Sequence, residues 1–245
     1  MIRSSGCSFG READLLRWFL RLALLAVIAV VGLLAFGAVQ LPPAYDPRTP
    51  LDISADPNIL TRFKLSRLRN RPELCQVVLR TSDLRQTPVP DQSQGPGCVI
   101  ENAVRVTQSG VAFNGSFVAS CPLTAAWALY ETHVLQPAAR THFGQPLARV
   151  IHFGTYACRN VDHRPFGRRS RHATADAIDV AGFVLRDGRE ISVARGWSGG
   201  NREARFLRAV RDGACRFFDA VLSPDYNAQH RDHFHLDLGG FHACR

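Results

Sequence analysis

From Leu22 to Val39 every position is apolar or glycine, and Trp18, Phe19 and Leu20 extend the run past Arg21. About 20 residues of helix cross a bilayer core, so residues 18–39 are predicted to form a membrane-spanning helix. Residues 40–58 lose all periodicity and are rich in proline and aspartate, the pattern of a linker. In residues 59–82, Leu60, Phe63, Leu65, Leu68, Leu74, Val77 and Val78 fall at partly helical spacing, which predicts one or two short helices broken near Pro72. Residues 83–97 read as a loop. Two strand-like stretches, 98–107 and 111–118, joined by Gln108-Ser109-Gly110, read as a hairpin.

Residues 122–140 carry a stripe of Leu123, Ala126, Trp127, Tyr130, Val134 and Leu135, which predicts a core-facing helix that Pro137 kinks or ends. Strands are predicted over 147–156, 177–185 and 190–194, the last two joined by a tight turn at Arg186-Asp187-Gly188. Residues 203–218 place Ala204, Leu207, Val210, Ala214 and Phe217 on one helical face, and 233–238 reads as a final strand. The sum is an α+β domain over residues 59–245, a mostly antiparallel sheet with flanking helices.

Charge orients this plan. Arg3, Arg11, Arg17 and Arg21 lie before or at the start of the apolar run, so residues 1–17 are expected on the cytoplasmic side and the rest outside. The rival is a cleaved signal peptide with a small-x-small site at Ala35-Phe36-Gly37. The run is longer than the apolar core of such peptides, and the anchor is favoured. Of seven cysteines, Cys7 falls on the inner side. Cys75, Cys98, Cys121, Cys158, Cys215 and Cys244 fall outside, where an even number suggests three disulfides whose pairing the sequence leaves open. The chain of 245 residues carries a formal charge of +9, nearly all arginine with Lys64 the single lysine. That charge suits an anionic partner. No basic run is interleaved with aromatics and no zinc-finger spacing occurs, so nucleic acid is not the expected partner.

Chemistry concentrates in two segments, Ser170 to Asp179 and His230 to Asp237. On a strand, residues i and i+2 share a face, so His233 and His235 point one way while Phe234 and Leu236 point to the core. His172 precedes the strand that carries Asp179 and is free to fold back. His172, Asp179 and His235 make a reasonable set of three metal ligands, with Asp237 or Asp232 to orient a histidine. Singly, each has a plainer reading as a surface histidine, a polar strand end or a turn residue.

Ser170-x-His172-x-x-Ala175-x-Ala177-x-Asp179 resembles the S-x-H-x-x-G-x-A-x-D signature of zinc D-Ala-D-Ala peptidases and murein endopeptidases. His230, His233 and His235 resemble the H-x-x-H-x-H spacing of the endopeptidase branch. More closely, Cys121 to Asp237 resembles the bacterial extensin-like C-terminal domain family, through His152–Asn160, Ala177–Phe183, Val210–Cys215 and Asp232–Asp237. The resemblance implies a zinc D-Ala-D-Ala peptidase-like fold, with zinc on His172, Asp179 and His235. It implies His233 and His230 as catalytic histidines and Arg159 as a substrate contact. The substrate it implies is the peptide part of peptidoglycan, cleaved by a single-pass protein of the cytoplasmic membrane whose C-terminal domain is periplasmic. The alternative is a non-catalytic wall-binding module with a structural or vestigial zinc site. Two positions depart from the pattern. Ala175 replaces the usual glycine, which requires negative φ or room for a Cβ. Arg171 stands where close relatives often have glutamate. The E-x-x-H glutamate of the dipeptidase branch is missing as well.

Overall fold

The N-terminal apolar run folds as helix α1 (Phe9–Ala35). Within it, Ala13–Leu33 has a mean hydropathy of 2.1 and is long and apolar enough to cross a membrane. The helix starts earlier than the apolar run, because Glu12, Ala13, Leu15 and Leu16 are all good helix formers. The computed structural model describes residues 9–35, 40–239 and 241–245, so Cys7 and the last residues of the expected span, 36–39, lie outside the described residues.

Two compact units part between Asp46 and Pro47. The second unit holds everything discussed below, and it claims part of the segment that reads as a linker. Leu51 and Ile53 are buried in its core. The Ile53 N–H donates to Thr81 Oγ1 at 2.9 Å, and the Ile53 carbonyl accepts from His133 Nε2 at 2.8 Å. Two apolar side chains among prolines suffice to dock a stretch that has no secondary structure.

Helices α2 (Thr61–Ser66) and α3 (Pro72–Leu79) follow, with Pro72 in the first turn of α3, where its missing donor costs nothing. The region 83–97, expected as loop, contains strand β1 (Arg85–Val89) and the short β2 (Gln92–Ser93). β1 is an exposed edge strand with Pro88 in it, so the apolar alternation that marks strands is missing. β2 pairs with β3 (Val99–Ile100). β1 pairs antiparallel with β4 (Ala103–Gln108). The expected hairpin partner of β4 splits in two. β5 (Ala112–Phe113) leaves for another sheet, and β6 (Phe117–Ser120) pairs antiparallel with β4.

Helix α4 (Cys121–Tyr130) begins with the Ser120 hydroxyl accepting from the Leu123 N–H, and with Pro122 in its first turn. All ten of its residues are buried, so it is a central helix and its apolar character runs all round rather than along one stripe. Pro137 does not end it. A π turn over Glu131–Leu135 leads into α5 (Gln136–Phe143), absorbing the proline ring, and Gly144 at φ +72° closes the helix.

The second sheet is built from β7 (Leu147–Gly154), β8 (Ala177–Leu185) and β9 (Glu190–Ser192). After the short helix α6 (Val193–Gly196) and the longer α7 (Arg202–Ala214), it is completed by β10 (Ala220–Leu222), β11 (Phe234–Asp237) and β12 (Ala243–Cys244). Its order is β12-β10-β11-β8-β7-β5, with β9 also on β8. β10, β11, β8 and β7 are mutually antiparallel, whereas the edge pairs β10–β12 and β5–β7 are parallel. The fold is α+β as expected; this sheet is mixed, antiparallel through its centre with a parallel pair at each edge. Both parallel edges are two-residue strands, too short to leave a pattern in the sequence.

Disulfides Cys75–Cys121, Cys98–Cys158 and Cys215–Cys244 pair all six cysteines that follow the apolar run. The first ties α3 to α4, the second ties the β3 region to the segment after β7, and the third holds β12 beside the end of α7.

Candidate metal centre

Two neighbouring strands set the site. In the β8–β11 ladder, Asp179 lies directly opposite His235, and the flanking pairs Val180–Phe234 and Ile178–Leu236 are opposed in the same register. Side chains alternate, so Phe234, Leu236, Ile178 and Val180 all enter the core while Asp179 and His235 share the other face. His172 reaches that face from a single helical turn, Arg171–Thr174. The Ser170 hydroxyl accepts from the His172 N–H at 3.3 Å, and the His172 carbonyl accepts from the Ala157 N–H at 3.1 Å. Ala175 closes the turn at φ +54°, a left-handed conformation. Alanine therefore occupies the conformation that favours glycine, at a cost of about 1 kcal/mol. Its Cβ is fully buried against Ile100 and Ala103.

One ligand atom from each of His172, Asp179 and His235 lies within 4.8 Å of the others. His172 Nε2 is 3.2 Å from Asp179 Oδ2 and 3.2 Å from His235 Nδ1. His235 Nδ1 is 2.9 Å from Asp179 Oδ1. The second nitrogen of each ring is engaged elsewhere: His172 Nδ1 donates to the Thr155 carbonyl at 3.1 Å, and His235 Nε2 donates to Asp237 Oδ2 at 3.1 Å. These bonds fix both rings with His172 Nε2 and His235 Nδ1 turned toward Asp179. Two imidazole nitrogens and a carboxylate converging on one point is a donor set that could hold a metal ion, and Asp237 stands where an outer carboxylate would orient such a histidine.

The electrostatics point the same way. Burial resists charge on His235, but hydrogen bonds and charge from Asp179 and Asp237 outweigh it and raise its pKa to about 9. Burial also resists ionisation of Asp179, yet hydrogen bonds from His172 and His235 hold its carboxyl far below the usual range. The cluster favours a positive charge between its donors, whether a proton or a metal ion.

The other expected residues surround this cluster. His233 Nδ1 bonds to Asp232 Oδ1 at 2.9 Å, leaving Nε2 3.6 Å from Asp179 Oδ1. Phe153 stacks edge-on against the His233 ring. His230 Nδ1 donates to Asn227 Oδ1 at 2.7 Å, and its ring lies 5.3 Å from that of His233 and 5.8 Å from that of His235. Burial, then the neighbouring His235 and His233, push the His230 pKa down to about 4, so the ring is neutral. Arg159 lines a cleft of about 170 Å³ whose wall includes His230, His235 and Asp237. Thr155, Asn227 and Tyr226 were not foreseen. They act through a main-chain carbonyl, an amide and a ring face, none of which leaves a spacing signal.

Fold and site together define a disulfide-bonded α+β domain with a buried His-Asp-His cluster on one sheet face. The chain belongs to the family described as Extensin-like protein C-terminus, whose model matches residues 73–245. No curated protein and no solved structure matches it.

Proposed function

We propose that this protein is a membrane-anchored, zinc-dependent peptidase that acts on the peptide part of peptidoglycan. The observation that carries the reading is the convergence of His172 Nε2 and His235 Nδ1 on Asp179, with the opposite nitrogen of each ring already held. His172, Asp179 and His235 would hold the zinc. Zinc on three protein ligands supplies a Lewis acid and brings the pKa of water toward 7.

The chain's own groups supply the rest. His233, braced by Asp232, presents Nε2 beside Asp179 and takes the proton of the attacking water. His230, neutral with its one proton on the Nδ1 that Asn227 holds, offers Nε2 as a hydrogen-bond acceptor to the substrate. Arg159 holds the substrate from the cleft wall. The N-terminal helix, the arginines before and at the start of its apolar run and the three disulfides support a single-pass protein of the cytoplasmic membrane with its domain in the oxidising periplasm.

The test is elemental analysis of the detergent-purified full chain together with incubation with purified muropeptides. Wild type is expected to carry about one zinc per chain and to cleave, and His235→Ala is expected to lose both. A zinc-loaded wild type that cleaves no muropeptide would favour the wall-binding module instead.

A further inference from the structure

The cleft beside His235 is lined by four arginines, Arg159, Arg168, Arg169 and Arg171. An isolated antiparallel bridge, Asn160–Arg169, folds the intervening segment into a hairpin, with Val161 N–H donating to the Arg168 carbonyl at 2.9 Å and Ser170 N–H to the Arg159 carbonyl at 3.0 Å. Residues opposed across such a bridge share a face. Asn160 and Arg169 therefore face one way, and Arg159, Val161, Arg168 and Ser170 face the other.

The four guanidinium groups are not equivalent. Arg169 is spent on structure: Nε and Nη2 donate to the Pro96 carbonyl and Nη1 donates to Asn160 Oδ1. Arg171 spends one donor, on the Gly239 carbonyl. The guanidinium groups of Arg159 and Arg168 have no hydrogen bond or ion pair among the described residues. Two carboxylates share the cleft. Asp162 lies 3.8 Å from Arg164, and Asp237 has one oxygen on His235 and the other buried without a partner. Three arginines with free donors thus face a cavity in which one carboxylate is paired and the other is committed to the histidine.

We propose that this cleft is a subsite for a free carboxylate on the substrate, with Arg168 and Arg171 as its specificity-determining residues. The proposal rests on the reading of the neighbouring centre as a peptidase site and adds what that site selects. A guanidinium fork matches a carboxylate with two parallel hydrogen bonds. An amidated group keeps one acceptor oxygen but turns its NH2 toward a guanidinium N–H, so one of the two hydrogen bonds and the charge attraction are lost and two donors face each other unpaired. Arg171 brings a positive charge to the cleft wall one residue before His172.

The test uses two muropeptides identical except that their side carboxylates are free in one and amidated in the other. Binding of each to the full chain in detergent is measured by calorimetry, with cleavage followed in parallel. Wild type is expected to bind the free-carboxylate peptide about tenfold or more tighter. Arg168→Ala should lose most of that preference, and Arg171→Glu should abolish or invert it. Arg168 is exposed, so its variant leaves the fold alone, and zinc content checks the Arg171 variant. Equal binding of both peptides by wild type, or a preference untouched in both variants, overturns the subsite. Arginine-dependent preference without cleavage leaves the subsite standing and overturns the peptidase reading.

Discussion

Asp179 and His235 are directly opposed across the β8–β11 ladder, with His235 Nδ1 2.9 Å from Asp179 Oδ1. Backbone hydrogen bonding thus sets the distance between two of the three donors, and a loop delivers only the third, His172. A site placed on strands keeps its geometry better than one placed on loops.

Asp237 holds the far side of the His235 ring. Asp237→Asn keeps the shape but removes one of the two carboxylate charges, after Asp179, that make the ring basic, and the acceptor that fixes its Nε2 proton. Zinc affinity should fall about 10- to 100-fold. Titration against a competing chelator measures this, and unchanged affinity would remove Asp237 from the site.

A second buried carboxyl sits in the π turn, away from the cluster. Burial raises the Glu131 pKa from 4.5 to about 7. Ser109, Trp127 and the Val111 backbone lower it in part, and Asp83 raises it further. A cavity of about 330 Å³ beside it is lined by Asp83, Arg140 and Arg186. Below pH 4.5 the carboxyl is protonated in both folded and unfolded chains. Between 4.5 and 7 the unfolded chain ionises first, so the folded state loses stability as pH rises, by up to about 3 kcal/mol. Glu131→Gln should flatten this part of the curve and be the more stable protein at pH 8. Urea unfolding of both proteins across pH 4 to 8 checks it, and parallel curves would exclude the effect.

Gly182 marks a close approach between β8 and β9. A Cβ at this position would sit 2.8 Å from the Ile191 carbonyl oxygen, a backbone atom that cannot turn aside. Gly182→Ala should cost about 1–3 kcal/mol and lower Tm by several degrees. An unchanged Tm would mean that β9 can shift freely.

The disulfide Cys98–Cys158 lies just before the hairpin that presents Arg159 and Arg168. Replacing both cysteines by alanine should cost about 2–4 kcal/mol. It should also weaken binding of the free-carboxylate muropeptide while leaving zinc content at the wild-type level, because the three donors stand on β8, β11 and the 171–174 turn. Loss of zinc in this variant would show that the bridge supports the centre itself.

What the sequence made legible follows from how locally each feature is encoded. β8 and β11 were readable because Ile178, Val180, Phe234 and Leu236 alternate with Asp179 and His235, and that same alternation brings the donors to one face. β1 was hidden because Arg85–Val89 is an edge strand with no apolar face. Leu51 and Ile53 were masked by neighbouring prolines, although both dock in the core. The helix survives Pro137 through a π turn, which periodicity does not announce. The arginine cleft depends on a single bridge between Asn160 and Arg169 in a segment with no strand pattern. The six cysteines after the apolar run were countable but not pairable, since pairing depends on tertiary neighbours.

His233 separates metal binding from chemistry. Its Nε2 stands 3.6 Å from Asp179 Oδ1, whereas the ligand atoms of the cluster come from His172, Asp179 and His235, so removing His233 takes away no member of that set. His233→Ala is therefore expected to keep about one zinc per chain and to lower kcat by about 10²–10⁴-fold with little change in KM. Asp232→Asn should fall between the two, because the His233 ring stays present but loses the carboxylate that orients it through Nδ1. His172→Ala, by contrast, removes a donor and should lose zinc and turnover together. Metal content and steady-state kinetics on the three variants decide the assignment. If His233→Ala lost zinc in step with activity, His233 would belong among the ligands, and another group would have to take the proton.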